Sequence, residues 1–210
     1  AIVVYTYVGY GLILYLLVFI KRLAIKAKPQ ADITDDCLPE VTLMVCAYNE
    51  EDIISEKMSN THSLDYPADR LHLVWVTDGS TDNTNSILSA YPDVKIVFSP
   101  ERRGKSAALK HGIKEVSTEI VMMTDANTML NPGAVREIVR LMQTPKVGCV
   151  SGEKKVMAKS DSDEAAQGEG LYWKYESTLK RLDSELYSAM GAAGELCVIR
   201  RQLMTDIPDD

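Results

Sequence analysis

The sequence lacks the short motifs that mark many metal and nucleotide sites. Its three histidines are scattered outside any H-E-x-x-H pattern, and its four cysteines include no C-x-x-C pair. Neither a zinc site nor a disulfide framework is therefore predicted. There is no G-x-G-x-x-G, and Gly104 alone does not supply the two glycines of a P-loop. A dinucleotide-binding fingerprint and a Walker-type phosphate loop are thus both missing.

Basic charge is scarce relative to acidic charge. Lys and Arg total 23 against 30 Asp and Glu, which leaves a formal net charge of -7. Nucleic acids are bound by basic surfaces, so this balance argues against nucleic acid as the main partner. With 46% hydrophobic residues, one globular domain with its own core is expected. Because three of the cysteines lie in apolar runs, we expect buried thiols in a reducing compartment.

The first twenty residues carry no charge, and a helix of that length crosses the hydrocarbon layer of a membrane. The basic residues that follow favour the cytoplasmic side: Lys21, Arg22, Lys26 and Lys28. We therefore expect a transmembrane helix at 1–22, a linker at 23–40 and a cytoplasmic domain at 41–210, at a bacterial inner or plasma membrane. Two alternatives for this segment each need a feature that it lacks. A signal peptide would need a basic leader and a cleavage site, and a buried helix of a soluble fold would need a polar face.

From Val41 onward, apolar runs alternate with helical patterns. Five runs each predict a strand: residues 41–48, 71–77, 94–99, 119–124 and 146–152. Capped or amphipathic segments predict helices, including residues 49–59, 104–116, 132–142 and 171–186. Nearly continuous apolar strands separated by helices are typical of a parallel sheet covered on both faces. The predicted fold class is therefore α/β, with a mostly parallel, Rossmann-like sheet flanked by helices.

Polar residues follow the predicted strands. Because ligands bind at the carboxyl ends of parallel strands, we expect these residues to converge on one crevice. Tyr48 offers an aromatic face for a base, and Asp78 offers a carboxylate for a pyrimidine N–H or a ribose hydroxyl. Gly79 lets a ligand approach the backbone. Taken alone, the segment 78–82 is also compatible with a simple turn that caps a helix.

A phosphate position and a metal position are also indicated. Residues 102–105 place three cations and a glycine before a predicted helix, whose free amides favour phosphate. Asp125 and Asn127 stand two residues apart, so both oxygens can face one hard cation. Mg2+ and Mn2+ combine such oxygens with substrate phosphates. The alternatives are a solvated basic face and a turn before Pro132.

Five segments together resemble family 2 glycosyltransferases with the GT-A fold. In order they are VCAYNEE (45–51), VTDGSTDNT (76–84), RRGKSAALKHG (102–112), VMMTDANTML (121–130) and GAAGELCVIRR (191–201). The resemblance covers about residues 40–205 and is specific because the five matches keep their order. The apolar N-terminus and the YWKYE segment resemble the membrane polysaccharide synthases, a branch that includes hyaluronan, chitin, cellulose and poly-N-acetylglucosamine synthases.

The resemblance implies an inverting, metal-assisted transfer of a sugar from a UDP-sugar donor to a hydroxyl of a glycan acceptor at a lipid membrane. The implied metal is Mg2+ or Mn2+, with Asp125 as principal ligand and Asn127 at the third place of the family's D-x-D motif. The implied acceptor-side residues are Glu195 and Arg200. The implied nucleotide-sugar-binding residues are Tyr48, Asn49, Glu50, Asp78, Gly79, Lys105, Asp125 and Ala126.

Two family motifs are absent from the sequence. Neither the T-E-D-like motif that carries the general base nor the Q/R-x-x-R-W motif of processive members is found. We therefore expect the base to lie beyond Asp210, and not at Asp206, Asp209 or Asp210. Two other functions remain open. A sugar nucleotidyltransferase would need a Gly-rich loop where AYNEE stands, and a non-catalytic, membrane-tethered nucleotide-sugar-binding subunit would need no base.

Overall fold

A computed structural model describes most of the chain, namely residues 5–25, 33–153, 164–189, 191–192 and 194–204. The chain divides into two compact units. The sheet unit comprises Ala31–Gly152 and Gly194–Asp210, and the helical unit comprises Ala1–Gln30 and Glu153–Ala193. Each unit is therefore built from two separate stretches of the sequence.

The strands, in chain order, are β1 (Val41–Ala47), β2 (Leu71–Asp78), β3 (Val94–Ser99), β4 (Ile120–Asp125), β5 (Cys149–Ser151) and β6 (Leu196–Arg200). The α-helices are α1 (Tyr10–Ala24), α2 (Ile54–His62), α3 (Thr84–Leu88), α4 (Lys105–Ile113), α5 (Ala134–Met142) and α6 (Glu164–Leu186). A π-helical turn lies at Tyr5–Gly9, and short 3-10 turns lie at Asp35–Cys37 and Arg201–Leu203.

The described strands form one mixed sheet in the order β3-β2-β1-β4-β6-β5. The neighbours from β3 to β4 pair in parallel, as the continuous apolar runs predicted. In contrast, β6 is antiparallel to β4, and β5 is antiparallel to β6. The run at 146–152 yields only the three-residue β5, at the sheet edge. The α/β prediction is confirmed, with a mixed sheet.

Both faces of the parallel strands are covered. On one face, α2, α3 and α5 contribute buried side chains to a core that includes Leu43, Trp75 and Met122. On the other face, α4 packs on Met44, Val76 and their neighbours. This contact is close at Gly112, where a Cβ atom would lie 2.5 Å from Met44 and from Val76. The helices therefore hold the strands between two layers. The loops that follow the strands lie at the carboxyl ends.

The helical unit pairs α1 with α6 in the same direction. Leu14 and Val18 of α1 are buried against Leu182 of α6. At the C-terminal ends, Lys21 Nζ donates hydrogen bonds to the backbone oxygens of Glu185 (2.6 Å) and Leu186 (2.9 Å). A cation is favourable there because the last carbonyl groups of a helix lack partners within it. The predicted 171–186 helix is thus confirmed and begins earlier, at Glu164.

No helix of the described residues is both long enough and apolar enough to cross a membrane. The transmembrane helix expected at 1–22 is therefore not found in this part of the chain.

The four cysteines are free thiols that are less buried than expected. Cys37 and Cys149 are exposed, and Cys46 and Cys197 are half-buried. Cys149 is exposed because β5 is the edge strand of the sheet. Its Sγ lies 3.6 Å from that of Cys197 on the neighbouring strand.

Candidate active site

The candidate site lies at the carboxyl ends of β1, β2 and β4, beside the N-terminus of α4. In the parallel register, Ala47 pairs with Thr77 and Cys46 pairs with Asp125. The three strands therefore end at almost the same level, and the residues that follow them meet at one edge of the sheet. Sequence reasoning placed most of its candidate residues at this edge.

Tyr48 directly follows β1, and its ring is partly exposed. The guanidinium carbon of Arg102 lies 3.9 Å from the centre of this ring, a distance at which a cation is attracted to an aromatic face. The stacking partner Arg102 joins the loop after β3 to the loop after β1. A flat aromatic surface and a cation thus lie together at one side of the crevice.

Asn49 holds two loops together. Its backbone is left-handed, with φ of 53°, a conformation that Asn tolerates better than most residues. Its N–H donates to Ser80 Oγ at 3.1 Å, and its side-chain oxygen accepts from the Thr81 N–H at 2.8 Å. Asn49 therefore joins the loop after β1 to the loop after β2, and its polar groups are engaged within the protein.

Glu50 lies next to these loops and is half-buried. Its backbone N–H donates to Thr84 Oγ1 at 2.9 Å. Burial raises the pKa of Glu50, and the negative charges of Asp125 and Asp82 raise it further. A carboxyl group in this environment is more easily protonated than an exposed one.

Asp78 is almost fully buried and holds the loop before α4. Its Oδ2 atom accepts from the backbone N–H groups of Arg103 (2.9 Å) and Gly104 (2.8 Å). Gly79 is left-handed, and a Cβ atom there would lie 2.5 Å from the Arg102 nitrogen, so the two loops touch through their backbones. The expected contact of Asp78 with a base or ribose would use the lone pairs that these amides leave open.

Lys105 and Asp125 meet across the crevice. Lys105 is the first residue of α4, and its Nζ lies 2.6 Å from Oδ1 of Asp125. The same Nζ is 3.4 Å from the backbone oxygen of Gly194. The segment before β6 thereby reaches the end of β4. A cation, a carboxylate and the N-terminus of α4 lie together here, as the sequence predicted for a diphosphate position.

The turn after β4 has one residue in the core and the next at the surface. Ala126 is 1% exposed and packs in the core. Asn127 is exposed. Within the described residues, no group of three or more His, Cys, Asp or Glu side chains is arranged to hold a metal ion. One carboxylate and one amide oxygen suit a divalent ion that takes its remaining ligands from phosphates and water.

The two expected acceptor-side residues lie far apart. Glu195 precedes β6, and its backbone oxygen accepts from Thr124 Oγ1 at 2.9 Å, close to the end of β4. Arg200 pairs with Ile120, at the opposite end of β4. Its guanidinium contacts Glu119 and donates to the backbone oxygens of Val147 and Met142. The placement of Arg200 at the crevice is therefore corrected, because antiparallel β6 carries it away. Residues 205–210, with the three aspartates considered as bases, lie outside the described part.

The larger of the two cavities described, of about 570 Å³, lies away from this crevice. It opens at the amino ends of the strands, where several of its lining side chains form pairs. The pairs are His62 with Asp93, His72 with Glu40, and Lys95 with Glu115. The cavity therefore has no part in the candidate site.

The mixed sheet, with cationic and acidic side chains at the carboxyl ends of its parallel strands, has the architecture of GT-A glycosyltransferases. The model of the family "Glycosyl transferase family 2" matches residues 42–207. The chain belongs to this family, so the resemblance seen in the sequence and the enzyme class that it implies are confirmed.

Two solved structures illustrate the fold. The mannosyltransferase PcManGT from Pyrobaculum calidifontis, in complex with GDP-Man and Mn2+, has a TM-score of 0.73 and 29% identity, over 95% of this chain and 55% of that one. S. aureus TarS 1-349, in complex with UDP-GlcNAc, has a TM-score of 0.53 and 19% identity, over 60% of this chain and 37% of that one. The likeness to TarS concerns the fold alone.

Curated relatives include poly-beta-1,6-N-acetyl-D-glucosamine synthases. The protein of Staphylococcus aureus strain MSSA476 is 34% identical over 143 residues, which are 66% of this chain and 34% of the relative. The protein of Staphylococcus epidermidis is 33% identical over 124 residues, 57% of this chain and 30% of the relative. The chain thus spans about a third of the length of these relatives.

Proposed function

We propose that the sheet unit binds the donor of an inverting sugar transfer, in which a UDP-sugar gives its sugar to a hydroxyl of a growing glycan. The observation that carries this proposal is the meeting of Lys105 and Asp125 at the carboxyl ends of the strands. A nucleotide diphosphate with a divalent ion uses a cation for its phosphates and a carboxylate for the ion, and this edge of the sheet supplies both. The relatives named as polysaccharide synthases support the glycan acceptor.

Each side of the crevice has its own part in the proposed binding. Tyr48 and Arg102 would flank the base, while Glu50 and Asp78 would accept hydrogen bonds from the base and the ribose. Lys105 and the first amides of α4 would bind the diphosphate. Glu195, beside the end of β4, would face the acceptor. A general base that deprotonates the acceptor hydroxyl would complete the transfer.

Asp125 and Asn127 would hold the divalent ion, Mg2+ or Mn2+. The donor set suits such an ion because a carboxylate and an amide oxygen are hard ligands. When bound, the ion would offset the negative charge of the leaving diphosphate. The mannosyltransferase neighbour was solved with Mn2+, which supports the proposal of a divalent metal.

The test is UDP binding with and without Mn2+, measured by isothermal titration calorimetry. The wild-type chain is expected to bind UDP more tightly with Mn2+ than without it, and more tightly than it binds GDP. The variant Asp125→Ala is expected to lose the gain from Mn2+. Asp69→Ala is the matched control, because Asp69 is exposed and lies near the amino end of β2. If Asp125→Ala keeps the full gain, the assignment of the site is wrong.

A reaction assay separates the proposed glycosyltransferase from the two alternatives, a sugar nucleotidyltransferase and a non-catalytic subunit. A glycosyltransferase releases UDP from a UDP-sugar, whereas a nucleotidyltransferase releases pyrophosphate from UTP. Membership of glycosyltransferase family 2 favours the release of UDP from a UDP-sugar. A chain extended to the length of its relatives that binds UDP-sugar without releasing UDP would be the non-catalytic subunit.

We also propose that α1 contacts a lipid bilayer, on the cytoplasmic face of a bacterial inner or plasma membrane. Several large apolar side chains of α1 are exposed: Leu12, Ile13, Leu16, Leu17, Phe19, Ile20 and Leu23. A helix with such a surface is stabilised at the boundary between headgroups and acyl chains. Flotation with phosphatidylglycerol-containing vesicles tests this, since Leu12→Ser/Leu16→Ser should reduce co-flotation. The exposed apolar Phe98 of β3 provides the control Phe98→Ser, which should not.

A further inference from the structure

Lys57 has the lowest exposure of the charged side chains in the described part of the chain. It lies on α2 and is 0% exposed, beside the buried Ile54 and Met58. Burial lowers its pKa to about 8, and the nearby negative charge of Asp125 opposes this shift. A buried ammonium group is unfavourable unless it finds a partner, so its contacts indicate its use.

The ammonium group of Lys57 donates a hydrogen bond to the backbone oxygen of Thr128. Thr128 closes the turn after β4, because its N–H donates to the oxygen of Asp125 at 3.2 Å. The contact therefore reaches, from inside the core, the turn that presents Asp125 and Asn127 to the crevice. A charged donor makes a stronger hydrogen bond than a neutral one.

Asn60 makes a second contact with the same segment, from one turn further along α2. Its Nδ2 donates to the Leu130 oxygen at 2.8 Å, and its Oδ1 accepts from the Leu130 N–H at 2.8 Å. Both backbone groups of Leu130 are thus held by a single side chain. Residues three apart on a helix share a face, so α2 holds the segment at two points.

The segment alternates between the core and the crevice. Ala126 and Leu130 are buried, at 1% and 6% exposure, while Asn127 is exposed. The direction of the Asp125 and Asn127 oxygens therefore depends on how firmly the inward-facing groups are held. A turn held in one conformation binds its ligand without a further loss of conformational entropy.

We propose that Lys57 and Asn60 are positioning residues that hold the turn at 125–130 so that Asp125 and Asn127 face one divalent ion. The inference rests on the proposed metal–diphosphate site. Neither residue touches the ligand, and both act through the backbone of the turn. Sequence reasoning missed them, although Ile54, Met58 and Thr61 occupy one helical face that also includes position 57.

The test compares Lys57→Met and Asn60→Ala with the wild-type chain, using UDP titrations with and without Mn2+. Both variants are expected to bind UDP alone as the wild type does. The gain in UDP affinity that Mn2+ provides is expected to fall about tenfold, because the turn would have to be ordered when the ion binds. The electron paramagnetic resonance spectrum of Mn2+ with UDP should also change in both. Lys95→Met, an exposed lysine paired with Glu115, controls for the lost charge.

Thermal unfolding separates positioning from folding. Lys57→Met removes the unfavourable buried charge but leaves the Thr128 oxygen without its ammonium donor, so the stability of the variant has to be measured. A folded Lys57→Met variant with the full wild-type gain from Mn2+ would overturn the inference. Should Lys57→Met not fold, the gain in Asn60→Ala decides in the same way. If the wild-type chain itself gains nothing from Mn2+, the proposed function fails, and the inference with it.

Discussion

The ammonium group of Lys105 and the carboxylate of Asp125 form an ion pair across the crevice, with Nζ 2.6 Å from Oδ1. Their side chains are 52% and 33% exposed, so solvent screens the pair and it adds little to stability. Its importance is for binding, because the proposed phosphate cation and the proposed metal carboxylate neutralise each other. Binding of a metal ion to Asp125, or of a diphosphate to Lys105, must therefore break this ion pair.

The first prediction concerns the two ligands of this pair, taken one at a time. Lys105→Gln frees the carboxylate of Asp125, so Mn2+ alone is expected to bind more tightly. UDP without metal is expected to bind about tenfold more weakly, because the site loses the cation that donates a charged hydrogen bond to the phosphates. Calorimetry with each ligand separately measures both effects. Lys114→Gln, just beyond the other end of α4, should change neither. Weaker Mn2+ binding in Lys105→Gln would contradict the prediction.

The second prediction concerns Gly79. Its φ is +69°, and a Cβ atom would lie 2.5 Å from the backbone nitrogen of Arg102. Gly79→Ala is expected to lower the free energy of unfolding by about 2 kcal/mol or more, because a strained backbone and a clash add together. Urea denaturation measures the change.

Gly133 provides the matched control for Gly79. It precedes α5 with φ of -82°, and a Cβ atom there would have no neighbour within 4 Å. Gly133→Ala should therefore alter the free energy of unfolding by less than about 1 kcal/mol. Equal effects of the two substitutions would show that the approach of the two loops is unimportant for stability.

The third prediction concerns pH and Lys57. Its pKa is about 8 in the folded chain, against a usual value of 10.5. Between these values the unfolded chain binds more protons than the folded chain, so the stability from this group rises with pH from about 8 to about 10.5. Relative to Lys57→Met, the wild-type free energy of unfolding should gain about 3 kcal/mol across this range.

Urea denaturation of both chains at several pH values between 7 and 11 measures this difference. The comparison cancels other groups, such as Tyr66 and Cys46, whose pKa values burial raises. Below pH 8 the difference should be constant. Parallel stability curves over the whole range would mean that Lys57 titrates as an exposed lysine does.

The fourth prediction concerns the thiol pair on β5 and β6. A hydrogen bond between the thiols of Cys149 and Cys197 lowers the pKa of Cys149 to about 7 and raises the pKa of Cys197. Under reducing conditions, Cys149 should react with iodoacetamide at half its maximal rate near pH 7, as followed by peptide mass spectrometry. In Cys197→Ala the midpoint should move up toward about 8.5. An unchanged midpoint would exclude this hydrogen bond.

The parallel part of the fold followed directly from the sequence. The apolar runs of β1 to β4 are long enough to identify strands, and the rule for the carboxyl ends of parallel strands brought Tyr48, Asp78 and Asp125 to one edge. Local sequence carries this information because β1, β2 and β4 are buried along most of their length on both faces.

The position of Arg200 did not follow from the sequence. Strand β6 enters between β4 and β5 in the antiparallel direction, and strand order depends on contacts between distant segments. A run of apolar residues does not specify its direction in the sheet, so Glu195 and Arg200 were expected together although they lie at opposite ends of β6. The hydrogen bonds of Asp78 to Arg103 and Gly104 were also unforeseen, because they depend on the conformation of the loop.

The pairing of α1 with α6 has a consequence for synthesis of the chain. Lys21 and its partner Glu185 are 164 residues apart in the sequence. At ~5–20 residues per second, a ribosome needs about 8 to 33 s to make the intervening chain. An isolated helix relaxes within about a microsecond, so α1 can form and dissolve many times before α6 exists. During this interval its apolar side is open to whichever chaperone or lipid surface it meets first.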